Sequence, residues 1–187
     1  MKKHNFCLFL FFSFFINVAS VQAATPDITG LMTTVNNNII IDLAISDFSE
    51  LEGNIKTGIA QEILYTVELI REWRFWPDEF VVSRQIRRSV KYDNLREQYW
   101  AVSSDGIKNL KLQFKDFKAL SSWIFNVTAI NLANIRELEK GRYYVRIVVE
   151  TKINEDIPIA GFLMHFIPEI GMSFAKESEP FPIGDEK

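Results

Sequence analysis

The chain has 187 residues, of which 48% are hydrophobic and 24% charged, with a formal net charge of −3. That length suits one ordinary domain rather than two, and that balance excludes a disordered or fibrous chain. A net acidic chain without a basic block is unsuited to nucleic acid, and the one cysteine, Cys7, leaves the rest without a disulfide, a thiolate nucleophile or a cysteine-ligated metal.

The N-terminal segment has the three parts of a secretory signal peptide. Lys2, Lys3 and His4 form a basic start, and in Phe6 to Val18 only Ser13 and Asn17 are polar. Small residues follow, and Val21 and Ala23 suit the −3 and −1 positions of a cleavage site, so the cut is placed after Ala23. The apolar run is short of the about 20 residues that a permanent anchor needs. The expected location is therefore periplasmic, with membrane contact only through the leader before cleavage.

Beyond residue 23 the dominant hydrophobic period is two, the period of strands. Ile39, Ile41, Leu43 and Ile45 share one face of a first strand, with Asp42 and Ser46 on the other. A short helix follows. Ser49 and Glu52 have capping-box spacing, Leu51 and Ile55 share a face, and Gly58 is placed as a left-handed stop. Next comes a long hairpin, Ile63 to Trp76 and Glu79 to Tyr92, turning at Pro77-Asp78. An even loop would pair Phe75 with Phe80, Trp73 with Val82, Leu69 with Ile86 and Tyr65 with Val90. It would set Glu72 opposite Ser83 and Glu68 opposite Arg87 on the polar face.

Gln98 to Ser103 reads as a strand before an Asp105-Gly106 turn, and Leu110, Leu112 and Phe114 alternate with polar residues in the next. Asp116 is placed as the N-cap of a second helix carrying Phe117, Leu120 and Ile124 on one side. Tyr143, Val145, Ile147, Val149, Thr151 and Ile153 alternate through a last long strand, and the tail from Lys176, with Pro180 and Pro182 among charges, is expected to be loosely held. The domains are thus a leader over 1–23, one β-rich domain over 24–175 and a loose tail over 176–187. The fold class is mainly β: an antiparallel twisted sheet or two-layer sandwich with two short helices.

Few residue sets carry chemistry. The predicted register sets Arg71 opposite Arg84, with Arg88 farther along the same apolar face. Like charges opposed in a sheet destabilise it, and a buried charge needs a partner. An anion should therefore meet these arginines. It would be an internal Asp or Glu on the structural reading, and a bound carboxylate, phosphate or partner's acid on the functional one. Around them, Trp73, Phe75 and Trp76 would stack on bases or sugars if exposed. Alternation instead puts Trp73 and Phe75 on the core face. His165 is the one histidine beyond the leader and has no His or Cys companion, so no metal site or cofactor is expected. No Gly-x-Ser-x-Gly or phosphate-cradling glycine loop occurs. Asp47, Asp78 and Asp93 are candidates for a hydrolase pair, but each falls at a turn or strand end where Asp serves the backbone. Asn126-Val127-Thr128 matches a glycosylation sequon. The apolar run Ile157 to Ile167 is too short to span a bilayer and would close the core or form a docking surface.

The order of several features resembles a known family. These are the leader, Gly58 before a long strand, and Arg71, Trp73, Trp76 and Asp78. They continue with Val90-Lys91-Tyr92-Asp93-Asn94-Leu95-Arg96-Glu97-Gln98-Tyr99, then Gly141-Arg142-Tyr143-Tyr144-Val145-Arg146, then Pro158. Together they are similar to the uncharacterised exported bacterial proteins grouped as domain of unknown function 4390. The stretch Met172 to Phe174 departs from that pattern, lacking a Trp. The resemblance implies a bacterial envelope protein, accessory to envelope signalling, with no catalytic residue to carry over. The expected function is a non-catalytic binding module for an envelope protein partner or a small anionic ligand, with Arg71, Arg84 and Arg88 as candidate contacts. A carboxylate-based hydrolase is the alternative, and a lipid-chain binder a further one.

Overall fold

The computed structural model describes residues 27–46, 49–57, 60–154 and 172–184. The leader with its cleavage point, Asp47, Gly58, and 157–167 with His165 lie outside the described residues, as do the side chains of Ser49, Leu51 and Glu52. In chain order the elements are β1 (Asp27–Val35), β2 (Asn38–Ser46), α1 (Ser49–Lys56), β3 (Ala60–Glu72), β4 (Glu79–Asp93), β5 (Gln98–Ser104) and β6 (Asn109–Phe114). They continue with α2 (Phe117–Ile124), β7 (Asn126–Asn134), a 3-10 turn (Ile135–Glu137), β8 (Gly141–Asn154), β9 (Ser173–Glu177) and β10 (Phe181–Ile183). The fold class is the expected one, mainly antiparallel β with two short helices.

Two sheets form. The smaller runs β1-β2-β7, and the larger runs β10-β8-β3-β4-β5-β6 with β9 also on β8. The core lies between them. Ile39, Ile41 and Leu43 of β2 face Tyr65, Val67 and Leu69 of β3 and Val145, Ile147 and Val149 of β8, all buried. Each fully buried aliphatic side chain contributes about 1.5–3 kcal/mol, so these alternating faces are what joins the layers. The layers approach closely at Gly30, where a Cβ would lie 2.8 Å from Ile147 Cδ1.

α2 closes one end of the core. Asp116 caps it, accepting the Ala119 N–H at 2.8 Å as its position predicts, and Leu120 and Ile124 are fully buried. The buried Tyr65 hydroxyl donates to the Ile124 carbonyl. Burial drives its pKa up, and nearby Arg88 opposes that.

Four expectations are corrected. First, the β3–β4 hairpin is in register by Tyr65 with Ile86, Val67 with Arg84 and Leu69 with Val82, four residues away from the predicted pairing. Up to Leu69 the displacement is even, so the faces survive; past a bulge between Leu69 and Ile70 it is odd, with Ile70 opposite Phe80, and every predicted pair changes. Glu68 consequently pairs with Arg146 at 2.6 Å, and Arg87 with Glu62 at 3.3 Å. Second, residues 73–78 form an open loop, because Asp78 Oδ1 accepts the Trp73 N–H at 3.1 Å and its other oxygen accepts the Tyr144 hydroxyl. Trp73 and Phe75 are therefore not core; they are 40% and 84% exposed, beside Trp76 at 75%. Third, residues 173–177 and 181–183 are paired strands on β8, with Ile183 buried. Ser178 between them exchanges hydrogen bonds with Val145, its Oγ accepting the Val145 N–H and its own N–H donating to the Val145 carbonyl. Fourth, β1 and β7 are strands that the hydrophobic period does not announce.

Candidate anion-binding groove

β4 carries Arg84 and Arg88 on its inner face, and β3 carries Arg71 near the far end of the same hairpin. Arg71 pairs with Glu79 in the ladder, not with Arg84. Arg84 and Arg88 lie five and nine residues beyond Glu79, roughly 17 and 30 Å along the strand. Arg71 has the internal acid that the sequence demands. Its guanidinium donates to Glu139 at 2.6 Å and to the Lys140 carbonyl at 2.9 Å, and lies over the Trp73 ring at 4.3 Å. The Glu139 hydrogen bond raises its pKa above the ordinary arginine value. Gly141 makes room, since a Cβ there would sit 3.0 Å from Arg71 Nε. Arg71 is a structural residue of the hairpin end.

Arg84 and Arg88 come together elsewhere. The three-stranded sheet is narrower than the seven-stranded one, so the inner face of β4 to β6 beyond β7 is left as a groove of about 970 Å³. Arg84, Arg88, Lys108, Leu110, Ala129 and Asn131 are among its lining. Arg88, Ser103 and Leu110 form one cross-strand row on its floor, as the ladder pairs them in turn.

Neither arginine has a carboxylate partner among the described residues. Arg84 Nε donates to the Asn131 carbonyl at 3.1 Å. Arg88, 8% exposed, donates from Nη1 to the carbonyls of Trp123 and Asn126 and lies over the Trp123 ring at 4.5 Å. The Asn126 and Asn131 carbonyls belong to β7, the outermost strand of its sheet, so the arginines tie that strand's edge to β4. Burial lowers the Arg88 pKa, while the Tyr65 hydroxyl favours its charged form. Its buried Nε has no acceptor among the described residues. A buried charge met, among the described residues, only by neutral carbonyls and a ring is incompletely compensated.

The groove wall is also strained. Ala129 has φ +59°, in the left-handed region, where a non-glycine residue costs about 1–2 kcal/mol. It sits in a bulge where β7 carries one more residue than β2, and its N–H is held by Asp42 Oδ1 at 2.6 Å.

The acidic candidates behave differently. Asp105 lines the groove, but its Oδ1 accepts the Lys108 and Ile107 amides at 2.7 and 2.9 Å, which holds its pKa below the usual carboxylate value. Desolvation pushes the Asp93 carboxyl up, but the Arg96 and Leu95 amides and the Trp100 side chain outweigh it and leave its pKa lowered. Asp78 and Asp93 stand at opposite ends of β4, roughly 45 Å apart, so these two do not converge. Among the described residues no three of His, Cys, Asp and Glu gather closely enough to hold a metal ion. Lys108 and the β6 edge were not among the candidates. Their signal was present as Lys108, Lys111, Lys115 and Lys118, a local basic stretch that the net acidic charge conceals.

No curated protein and no solved structure matches this chain. A family model does match, over residues 32–156, more than half of the sequence and running from within β1 past the end of β8. The sandwich and its groove thus fall mainly inside the matched region, and the chain belongs to the family described as Domain of unknown function (DUF4390).

Proposed function

We propose that this protein is an exported, non-catalytic binding module of the bacterial envelope, and that the groove between β7 and β4–β6 receives an anionic group of a small molecule or of a protein partner. The observation that carries the reading is Arg88: a nearly buried guanidinium lining a groove, without a carboxylate partner among the described residues, beside Arg84 and Lys108. A carboxylate gains most from such a donor, because charge-assisted hydrogen bonds are roughly twice as strong as neutral ones. The basic start, apolar run and small residues up to Ala23 support export. The hydrolase reading has less support, since two of its three candidate carboxylates stand at opposite ends of one strand. A lipid chain needs a continuous cavity of at least about 300 Å³. The space between β1 and β8 is about 130 Å³, and the groove of about 970 Å³ is large enough but has Arg84, Arg88, Asp105 and Lys108 in its lining.

Citrate serves as the probe, followed by isothermal titration and thermal unfolding. Saturable binding in the millimolar range or tighter, abolished by Arg84→Glu and kept by Arg71→Ala, is the expected result. Binding that Arg84→Glu leaves unchanged, or no binding at all, removes the groove from the function.

A further inference from the structure

The free edge of the large sheet runs alongside this groove. β6 ends the strand order, so among the described residues nothing pairs with its outer side. In an antiparallel ladder every second residue turns its N–H and C=O away from the partner strand, and those of β6 point outward. β7, the opposite wall, is less open to pairing: Arg84 and Arg88 occupy two of its carbonyls, and the Ala129 bulge breaks its line. Among the described residues β6 has no such block. Its pairing with β5 is continuous from Asn109 to Phe114.

The charge along this edge is one-sided. Lys108, Lys111, Lys115 and Lys118 are all exposed, while the two acids beside them are engaged, Asp105 by the amides of its own turn and Asp116 as the cap of α2. Lysines on an edge strand repel a second copy of the same strand, and the same charges attract an acidic one. Leu110, 54% exposed, and Ile107, 90% exposed, add apolar surface beside them.

We infer that β6 takes up an extended acidic peptide segment as an added strand, with its side chains beside Asn109 and Leu110 turned to the groove and Lys108, and those of the other face lying beside Lys111. This rests on the groove being an anion site and specifies its ligand as a polypeptide. Main-chain pairing would supply affinity, and the alternating pockets and charges specificity. A segment of about six residues matches β6, and the groove opens along its Asn109–Leu110 end.

The test uses the chain as recovered from cells and a fluorescent heptapeptide alternating valine and glutamate, with a valine–lysine peptide as control. Saturable anisotropy with the glutamate peptide only, weakened at least about tenfold by Lys111→Glu, and slowed hydrogen exchange of the β6 amides on binding, are the expected results. Equal binding of the lysine peptide, or binding without slowed β6 exchange, overturns strand addition. The failures separate cleanly. If citrate binds through Arg84 while the glutamate peptide does not bind, strand addition falls and the groove reading stands. If neither binds, both fall. Lys111 is exposed, and circular dichroism of the Lys111→Glu variant checks its fold.

Discussion

Ala129 shows how one residue can be held in a costly conformation by its neighbours. Its left-handed φ is set by the bulge opposite Asp42, whose carboxylate takes the Ala129 amide. Glycine reaches that region without the Cβ clash. Ala129→Gly is therefore expected to stabilise the protein by about 1 kcal/mol, read as a higher urea midpoint with unchanged slope. A lower midpoint would mean that the Ala129 methyl contributes packing exceeding the strain. The arginines make a related point. All three invite an acidic partner by sequence. Among the described residues only Arg71 has one, Glu139 at 2.6 Å with Glu79 at 3.7 Å, and Gly141 leaves room for its guanidinium. No spacing along the chain distinguishes Arg71 from Arg88, since their partners come from elements 68 and 35 residues away.

At the level of elements, the edge of β8 is completed by the last described strands. β9 pairs with it from Arg146 to Glu150, and β10 from Gly141 to Tyr143. Pro180 and Pro182 read as tail residues because proline cannot donate to a ladder. On an outermost strand that donor is not required, and β10 is outermost. A chain ending at Met172 would lose the burial of Ile183 and leave the Val145 main chain unpaired. The expected loss is about 3 kcal/mol or more, measured by urea denaturation. No change would return the segment to the status of a loose tail. β7 was unreadable for a different reason. Its buried residues are Val127, Ile130 and Leu132, and the bulge gives them a spacing that no regular strand has. β1 buries only Ile28, so it carries almost no hydrophobic period. Its turn at Asn36-Asn37, both with positive φ, was the available signal, as asparagine tolerates that region.

Across the whole molecule, acid stability should report on two hairpin turns at once. Asp93 and Asp105 each accept two main-chain amides in their turns, and both carboxyls have lowered pKa values. A group with a depressed folded pKa contributes stability that is present above its unfolded value, about 3.9, and is lost as pH falls through the folded one. The melting temperature should therefore drop as pH goes below about 4. The double variant Asp93→Asn, Asp105→Asn should be less stable at neutral pH and lose less on acidification. Parallel acid profiles for the two proteins would show that other carboxyls govern the acid limb.

The alternating apolar runs of β2, β3 and β8 determine by themselves that the chain makes antiparallel sheet with one greasy face. Asp116 and the Asp105-Gly106 pair likewise determine a helix start and a turn through contacts within three residues. These features are local, and local geometry follows from the order of residues. Hairpin register, the open 73–78 loop, the pairing of 173–183 with β8 and the groove itself depend on which distant backbone supplies each hydrogen bond. A slip of four residues preserves the faces up to Leu69 and changes every partner, so only the packing of one sheet on the other could choose among the registers. That same packing, by leaving the small sheet too narrow to cover the large one, decided that Arg84 and Arg88 share a groove and that Arg71 does not.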